Sequence, residues 1–118
     1  SPTPPSPHGR SKDHRMKQPL EKTLSLCNEI EELLANAMPQ ADEMRLRRIA
    51  FIANELKGFD PYITRSADRL VSRAGIYFSA RKHQSERGGA DGLMREMRYS
   101  LLRAIREQAN VLDHGSTT

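Results

Sequence analysis

Tryptophan is absent from this 118-residue chain, cysteine occurs once, and the aromatics amount to three Tyr and three Phe. So few large rings leave the core to Leu, Ile, Met and Ala, the usual filling of helical bundles. They also leave no cluster of exposed aromatics on which nucleotide bases would stack. The lone Cys27 excludes an intrachain disulfide. It falls on an apolar stripe near Glu29, Glu31 and Glu32, the setting of a buried small hydrophobe rather than of a reactive thiol.

Other absences narrow the function classes. No run of about 18 apolar residues occurs, so no membrane-spanning helix is predicted, and no signal peptide is visible. Strand-like alternation between turn residues is missing, as is any internal repeat. Gly88-Gly89 runs into Ala90-Asp91-Gly92 without the Lys-Ser/Thr of a phosphate loop. His8, His14, His83 and His114 have no ligand partner at metal-binding spacing. The expectation is a chain without catalytic residues, metal site or cofactor. Its single cysteine suits a reducing, intracellular setting, cytoplasmic or nuclear. A start at Ser1 rather than Met suits a fragment or a processed product.

Charge is abundant but uneven. The formal net charge is +4. Residues 1–18 are basic through Arg10, Lys12, Arg15 and Lys17, residues 19–60 are net acidic, and the remainder is basic again. The first segment holds Pro2, Pro4, Pro5 and Pro7, four of the chain's seven prolines. With almost no large apolar residue it cannot offset the entropy of ordering, so it reads as a disordered Pro/Ser-rich tail. Ser1-Pro2, Thr3-Pro4 and Ser6-Pro7 fit proline-directed phosphorylation, and Pro4 to Pro7 has PxxP spacing.

Residues 19–115 read as one helical domain. Helix one is predicted over 19–38 from Leu20, Leu24, Cys27, Ile30 or Glu31, Leu34 and Met38, with Pro39 ending it. Its outer face carries Glu21, Glu29, Glu31 and Glu32. Helix two is predicted over 40–57 from Leu46, Ile49, Ala50, Ala53 and Leu56, with Asp42 and Glu43 at its positive end. Gly58 is the expected left-handed stop, and Phe59 would pack back on the last turn. Asp60-Pro61, a cap followed by proline at the first helical position, opens helix three. Helix three is predicted to run to about residue 87, with Ile63, Ala67, Leu70, Ala74, Tyr77 and Phe78 inward. Helix four follows over 91–113, with Met94, Met97, Leu101, Ala104 or Ile105, Gln108 and Leu112 inward and Leu93, Leu102 and Val111 beside them. The fold class is all-α, an antiparallel four-helix bundle, in which helices one and three lie diagonally and the molecule is dipolar.

The residues that stand out chemically are Arg65, Arg69 and Arg73, spaced by four on helix three, with Arg81, Lys82 and Arg87 beyond. Residues 61–88 hold six basic side chains against Asp68 and Glu86. Arginine outnumbers lysine fourteen to five across the chain, a bias suited to bidentate contacts with carboxylates or phosphates. The expected function is a non-enzymatic adaptor or regulatory module. It would bind an acidic, helical protein segment through Arg65, Arg69, Arg73, Arg81 and Lys82, with Met94 and Met97 as core packing or an adaptable groove. Nucleic acid is the alternative partner, reached by the same helix and the tail. A helix-turn-helix over 49–70, with Ile52, Ala53, Leu56 and Ile63 buried and Arg65, Ser66 and Arg69 facing the groove, is its structural form. The length of the helix-three stripe and the polar Ser66 speak against it. A helical oligomerisation domain, with Phe51, Ile76 or Leu102 in an intersubunit seam, is the second alternative.

Overall fold

The computed structural model describes the backbone of residues 5–58 and 60–115 and the side chains of residues 20–58 and 60–114. All regular structure among the described residues is helical. Helix α1 spans Pro5–Ala35, α2 Glu43–Leu56 and α3 Pro61–Tyr77. A 3₁₀ turn covers Lys82–Ser85. Then α4 (Gly89–Arg95), a π-helical segment (Glu96–Leu101) and α5 (Leu102–Gly115) follow one another without a break. The backbone of α1 thus begins upstream of the predicted start. The expected disordered tail and its Ser-Pro sites fall on residues 1–4, which lie outside the described residues, and on residues 5–18, whose side chains do.

Three predicted boundaries change. Helix α1 ends at Ala35 rather than at residue 38, because the residue before Pro39 is pushed out of the helical region. Met38 therefore leaves the stripe and is exposed. Helix α2 starts at Glu43, where the Asp42 side chain accepts a hydrogen bond from the Arg45 N–H at 3.1 Å. Helix α3 stops at Tyr77, about ten residues before its predicted end. Its start is as expected: the Asp60 carboxylate accepts hydrogen bonds from the Tyr62 and Ile63 N–H groups at 2.9 and 3.1 Å. Gly58 has φ +99°, which few other residues adopt, so it turns α2 into α3. Phe59, assigned to the stop of helix two, lies outside the described residues.

The predicted fourth helix is broken in period rather than in direction. Met97 and Leu102 are both fully buried although they are five residues apart. A regular α-helix would rotate them to different faces. The π turn solves this, with the Leu102 N–H reaching the Met97 carbonyl. Beyond it Ile105 and Ala109 stay inward, whereas Leu112, assigned to the inner row, and Val111, assigned beside it, are exposed.

One core joins the helices. Cys27, Ile30 and Leu34 of α1 meet Ile49, Ile52, Ala53 and Leu56 of α2, Ile63, Ala67, Leu70 and Ala74 of α3, and Leu93, Met97, Leu102 and Ile105 of the last run. Helix α1 packs against α2 and α5, and α3 packs against the same two helices. Tyr77 and Phe78 close one end edge to face, with ring centroids 5.0 Å apart.

Two glycines separate propensity from packing. A Cβ on Gly75 of α3 would meet nothing within 4 Å, whereas one on Gly92 of α4 would sit 2.7 Å from the Arg87 carbonyl oxygen. Gly75→Ala is expected to stabilise the fold by about 0.5–1 kcal/mol through helix propensity. Gly92→Ala is expected to lower the urea midpoint despite the same gain in propensity.

Candidate protein-binding face

The arginine row winds as it goes. Each step of four residues turns about 40° around a helix with 3.6 residues per turn. With Ile63, Ala67, Leu70 and Ala74 fixed inward, Arg65 points away from the other helices while Arg73 turns toward the last helical run. Arg65 is exposed and has no acidic partner among the described residues; it borders a shallow groove with Gly58, Asp60, Pro61, Thr64 and Asp68. The side chain of Arg69 is 57% exposed, and its Nε donates to Glu96 at 2.6 Å. That of Arg73 is 19% exposed and is held twice, by Glu86 at 2.7 Å and Glu96 at 3.0 Å. The Glu86 hydrogen bond, with Glu96 behind it, keeps the Arg73 guanidinium still more firmly protonated than usual. Asp68, the acid nearest to the row in sequence, pairs instead with Lys57.

The row assigned to a partner is therefore divided. Arg73 ties α3 to the following loop and to the π segment, Arg69 shares that tie, and Arg65 is open. Arg81 and Lys82 lie beyond the end of α3, one just before and one within the 3₁₀ turn; both are exposed and have no acidic partner among the described residues. Glu86 and Glu96 were not assigned to this site from the sequence. They stand 13 and 23 residues from Arg73, too far for any helical spacing rule to link them.

Two carboxylates of the acidic face of α1, Glu29 and Glu31, are likewise met inside the chain. Glu29 pairs with Arg48 of α2 at 3.1 Å. Glu31 accepts from Arg98 at 2.9 Å and from Arg106 at 3.0 Å, while Arg106 also donates to Asn28 at 2.9 Å. Burial raises the pKa of Glu31, but the hydrogen bonds and charges of the two arginines outweigh it and hold the carboxyl below the usual range. At Asp42 the Arg45 backbone N–H, then its guanidinium, act in the same direction. Cys27 is fully buried as expected; burial pushes its thiol up to about 11, against a pull from Arg106 and with a smaller push from Glu31.

A second feature lies on α2, where the sequence named only Phe51, as a seam candidate. Leu33, Asp42, Met44, Arg45, Arg47 and Arg48 line a cleft of about 580 Å³ at the α1–α2 seam. Met44 is 84% exposed and Phe51 59% exposed, and the Arg48 guanidinium lies 5.7 Å from the Phe51 ring centre. The signal in the sequence was phase: both residues fall opposite the stripe of Ile49, Ile52, Ala53 and Leu56. Ile76, another candidate seam residue, is only partly buried, whereas Leu102 is wholly interior.

His83 is buried in the 3₁₀ turn, and its Nδ1 has no hydrogen-bond partner among the described residues. Among the described residues no group of three or more His, Cys, Asp or Glu is placed to hold a metal ion, and no helix is long and apolar enough to cross a membrane. Ser66 of the helix-turn-helix reading is buried, and α3 has 17 residues. The length objection to that reading thus disappears, while Arg69, one of its groove-facing residues, is engaged by Glu96. No protein-family profile, no curated protein and no solved structure matches this chain.

The Glu31 cluster sets an acid limit to stability. A carboxyl held lower in the folded than in the unfolded state stabilises the fold above its ordinary value near 4.5, and that contribution fades as pH falls through the lowered value. Urea midpoints measured from about pH 6 down to about pH 3 are expected to fall steeply in the wild type and less steeply in Glu31→Gln.

Proposed function

We propose that this chain is a non-enzymatic helical protein-interaction module, an antiparallel bundle whose α3 side docks an acidic, helical partner segment. The observation that carries this reading is what remains after internal pairing. On residues 61–95, Arg65, Arg81, Lys82, Arg87 and Arg95 have no acidic partner among the described residues, against Asp91 as the one carboxylate there without a cationic one. Arg69 engages only its Nε, so its terminal nitrogens remain for a ligand. Helix α3 is about 25 Å long at 1.5 Å per residue. A partner helix of similar length would reach from Arg65 over Arg69 to Arg81 and Lys82.

The bundle arrangement is supported by the order of the contacts. Along α1 and α2 the paired positions are Lys22 with Glu55, Glu29 with Arg48 and Leu33 with Arg45, rising on one helix as they fall on the other. Asn28 with Arg106 and Glu31 with Arg98 repeat this sense between α1 and the last run. Asp60 with Gln108 and Arg73 with Glu96 repeat it from α3. In such a bundle α1 and α3 are diagonal, so the basic side is separate from Glu21 and Glu32 of α1. Long-range attraction by that side would steer an acidic ligand, and apolar contacts would supply most of the affinity.

The test is affinity capture from a native extract, comparing wild type with the Arg65→Glu, Arg81→Glu, Lys82→Glu triple variant, with and without nuclease. Arg73 is left intact because its ion pairs belong to the fold. The expected result is a protein partner that survives nuclease and binds the variant at least about tenfold more weakly. Equal binding by the variant contradicts the assigned face, and loss on nuclease treatment contradicts a protein ligand.

A further inference from the structure

The outer ridge of α2 is complementary to itself. Its inward face is fixed by Ile49, Ile52, Ala53 and Leu56. Outside it, Arg47, Phe51 and Glu55 follow one another at steps of four, a single ridge in the order cation, aromatic ring, anion that winds from the side opposite the core toward the α1 flank, where Glu55 meets Lys22. Phe51 is 59% exposed, and Met44, 84% exposed, stands one turn before Arg47 on the same side. A symmetric dimer requires that whatever residue i meets, its counterpart meets residue i in return. Two copies of this ridge, antiparallel about an axis at Phe51, satisfy that condition: ring lies against ring, each Arg47 lies over the other copy's Glu55, and no like charges meet along the ridge.

We infer that α2 is a self-association surface and that its occupant is a second copy of this chain, joined through Phe51 and two reciprocal Arg47–Glu55 ion pairs. Interdigitated four-residue ridges are the commonest helix packing in globular proteins. The present partners of the two charges do not prevent the exchange. Arg47 pairs with Glu43 at 2.8 Å, with both side chains about three-quarters exposed. Glu55 pairs with Lys22 at 3.3 Å, with side chains 37% and 52% exposed. Such exposed pairs contribute little and are readily replaced. One helix of 14 residues presents less surface than the roughly 800 Å² per partner of a standard interface, so the dimer is weak, with Kd on the order of 100 µM. The surface is on a different helix from the α3 side and does not depend on the function proposed for it. A dimer would carry two α3 sides, which raises avidity for a partner with repeated acidic segments.

Sedimentation of the whole chain from about 10 µM to about 1 mM tests this, with Phe51→Ala, Arg47→Glu and Glu55→Arg beside the wild type. The wild type is expected to dimerise with rising concentration, and each variant alone to weaken dimerisation at least about tenfold. Arg47→Glu mixed with Glu55→Arg is expected to regain association, because the two altered ridges complement each other. That recovery also requires both variants to be folded. A wild type monomeric at about 1 mM, a dimer indifferent to Phe51→Ala, or a mixture of the charge variants that fails to associate would each overturn the inference.

Discussion

The guanidinium of Arg73, held between Glu86 and Glu96, is the contact on which the second half of the chain depends. Between Tyr77 and Gly89 the backbone has a single 3₁₀ turn. A segment with so few regular hydrogen bonds must be placed by side chains. Phe78 and His83 turn inward, and Glu86 fastens the far end of the loop to α3 through Arg73. The same arginine reaches Glu96 at the start of the π segment. Two carboxylates from separate stretches of chain are thus registered on one helix. The π turn that follows brings Met97 and Leu102 onto one buried face. The polar tie and the period change serve the same packing.

Charge in this molecule has two uses. Glu29, Glu31, Glu86 and Glu96 face cations from other helices and mark the seams between them. All but the exposed Glu29–Arg48 pair are partly buried on at least one side, and such pairs set register and specificity more than net stability, since desolvation opposes their attraction. Among the described residues, the cations without an acidic partner cluster on residues 61–95. A basic composition overstates that surface. Arg98 and Arg106 both turn to Glu31, and Arg73 turns to its two glutamates.

What was legible in the sequence was periodic or local. The inward rows of α2 and α3 were recovered because three-four spacing is the direct imprint of burial. Asp60-Pro61 and Gly58 marked their helix ends because caps and left-handed turns need particular side chains. The early end of α3 was not legible. Tyr77 and Phe78 fit the helical stripe, yet Phe78 leaves the helix with φ −89° and ψ 53° to pack beside Tyr77. The π turn is invisible to a rule that assumes a constant period. At the candidate site, Arg65, Arg81 and Lys82 stand exposed. The engagement of Arg69 and Arg73 was hidden because Glu86 and Glu96 approach through tertiary folding alone. Phe51 and Met44 were legible in phase, as apolar residues on the polar side of a helix, Phe51 as a seam candidate and Met44 without an assigned purpose.

A double-mutant cycle between Arg73 and Glu86, read by urea unfolding, tests the division between structural and available charge most directly. The predicted coupling is about 1 kcal/mol or more, with Arg65→Ala changing stability by less than about 0.5 kcal/mol. A coupling under about 0.3 kcal/mol would mean that Arg73 is as free as Arg65, and would contradict the clamp and the surface inferred from it.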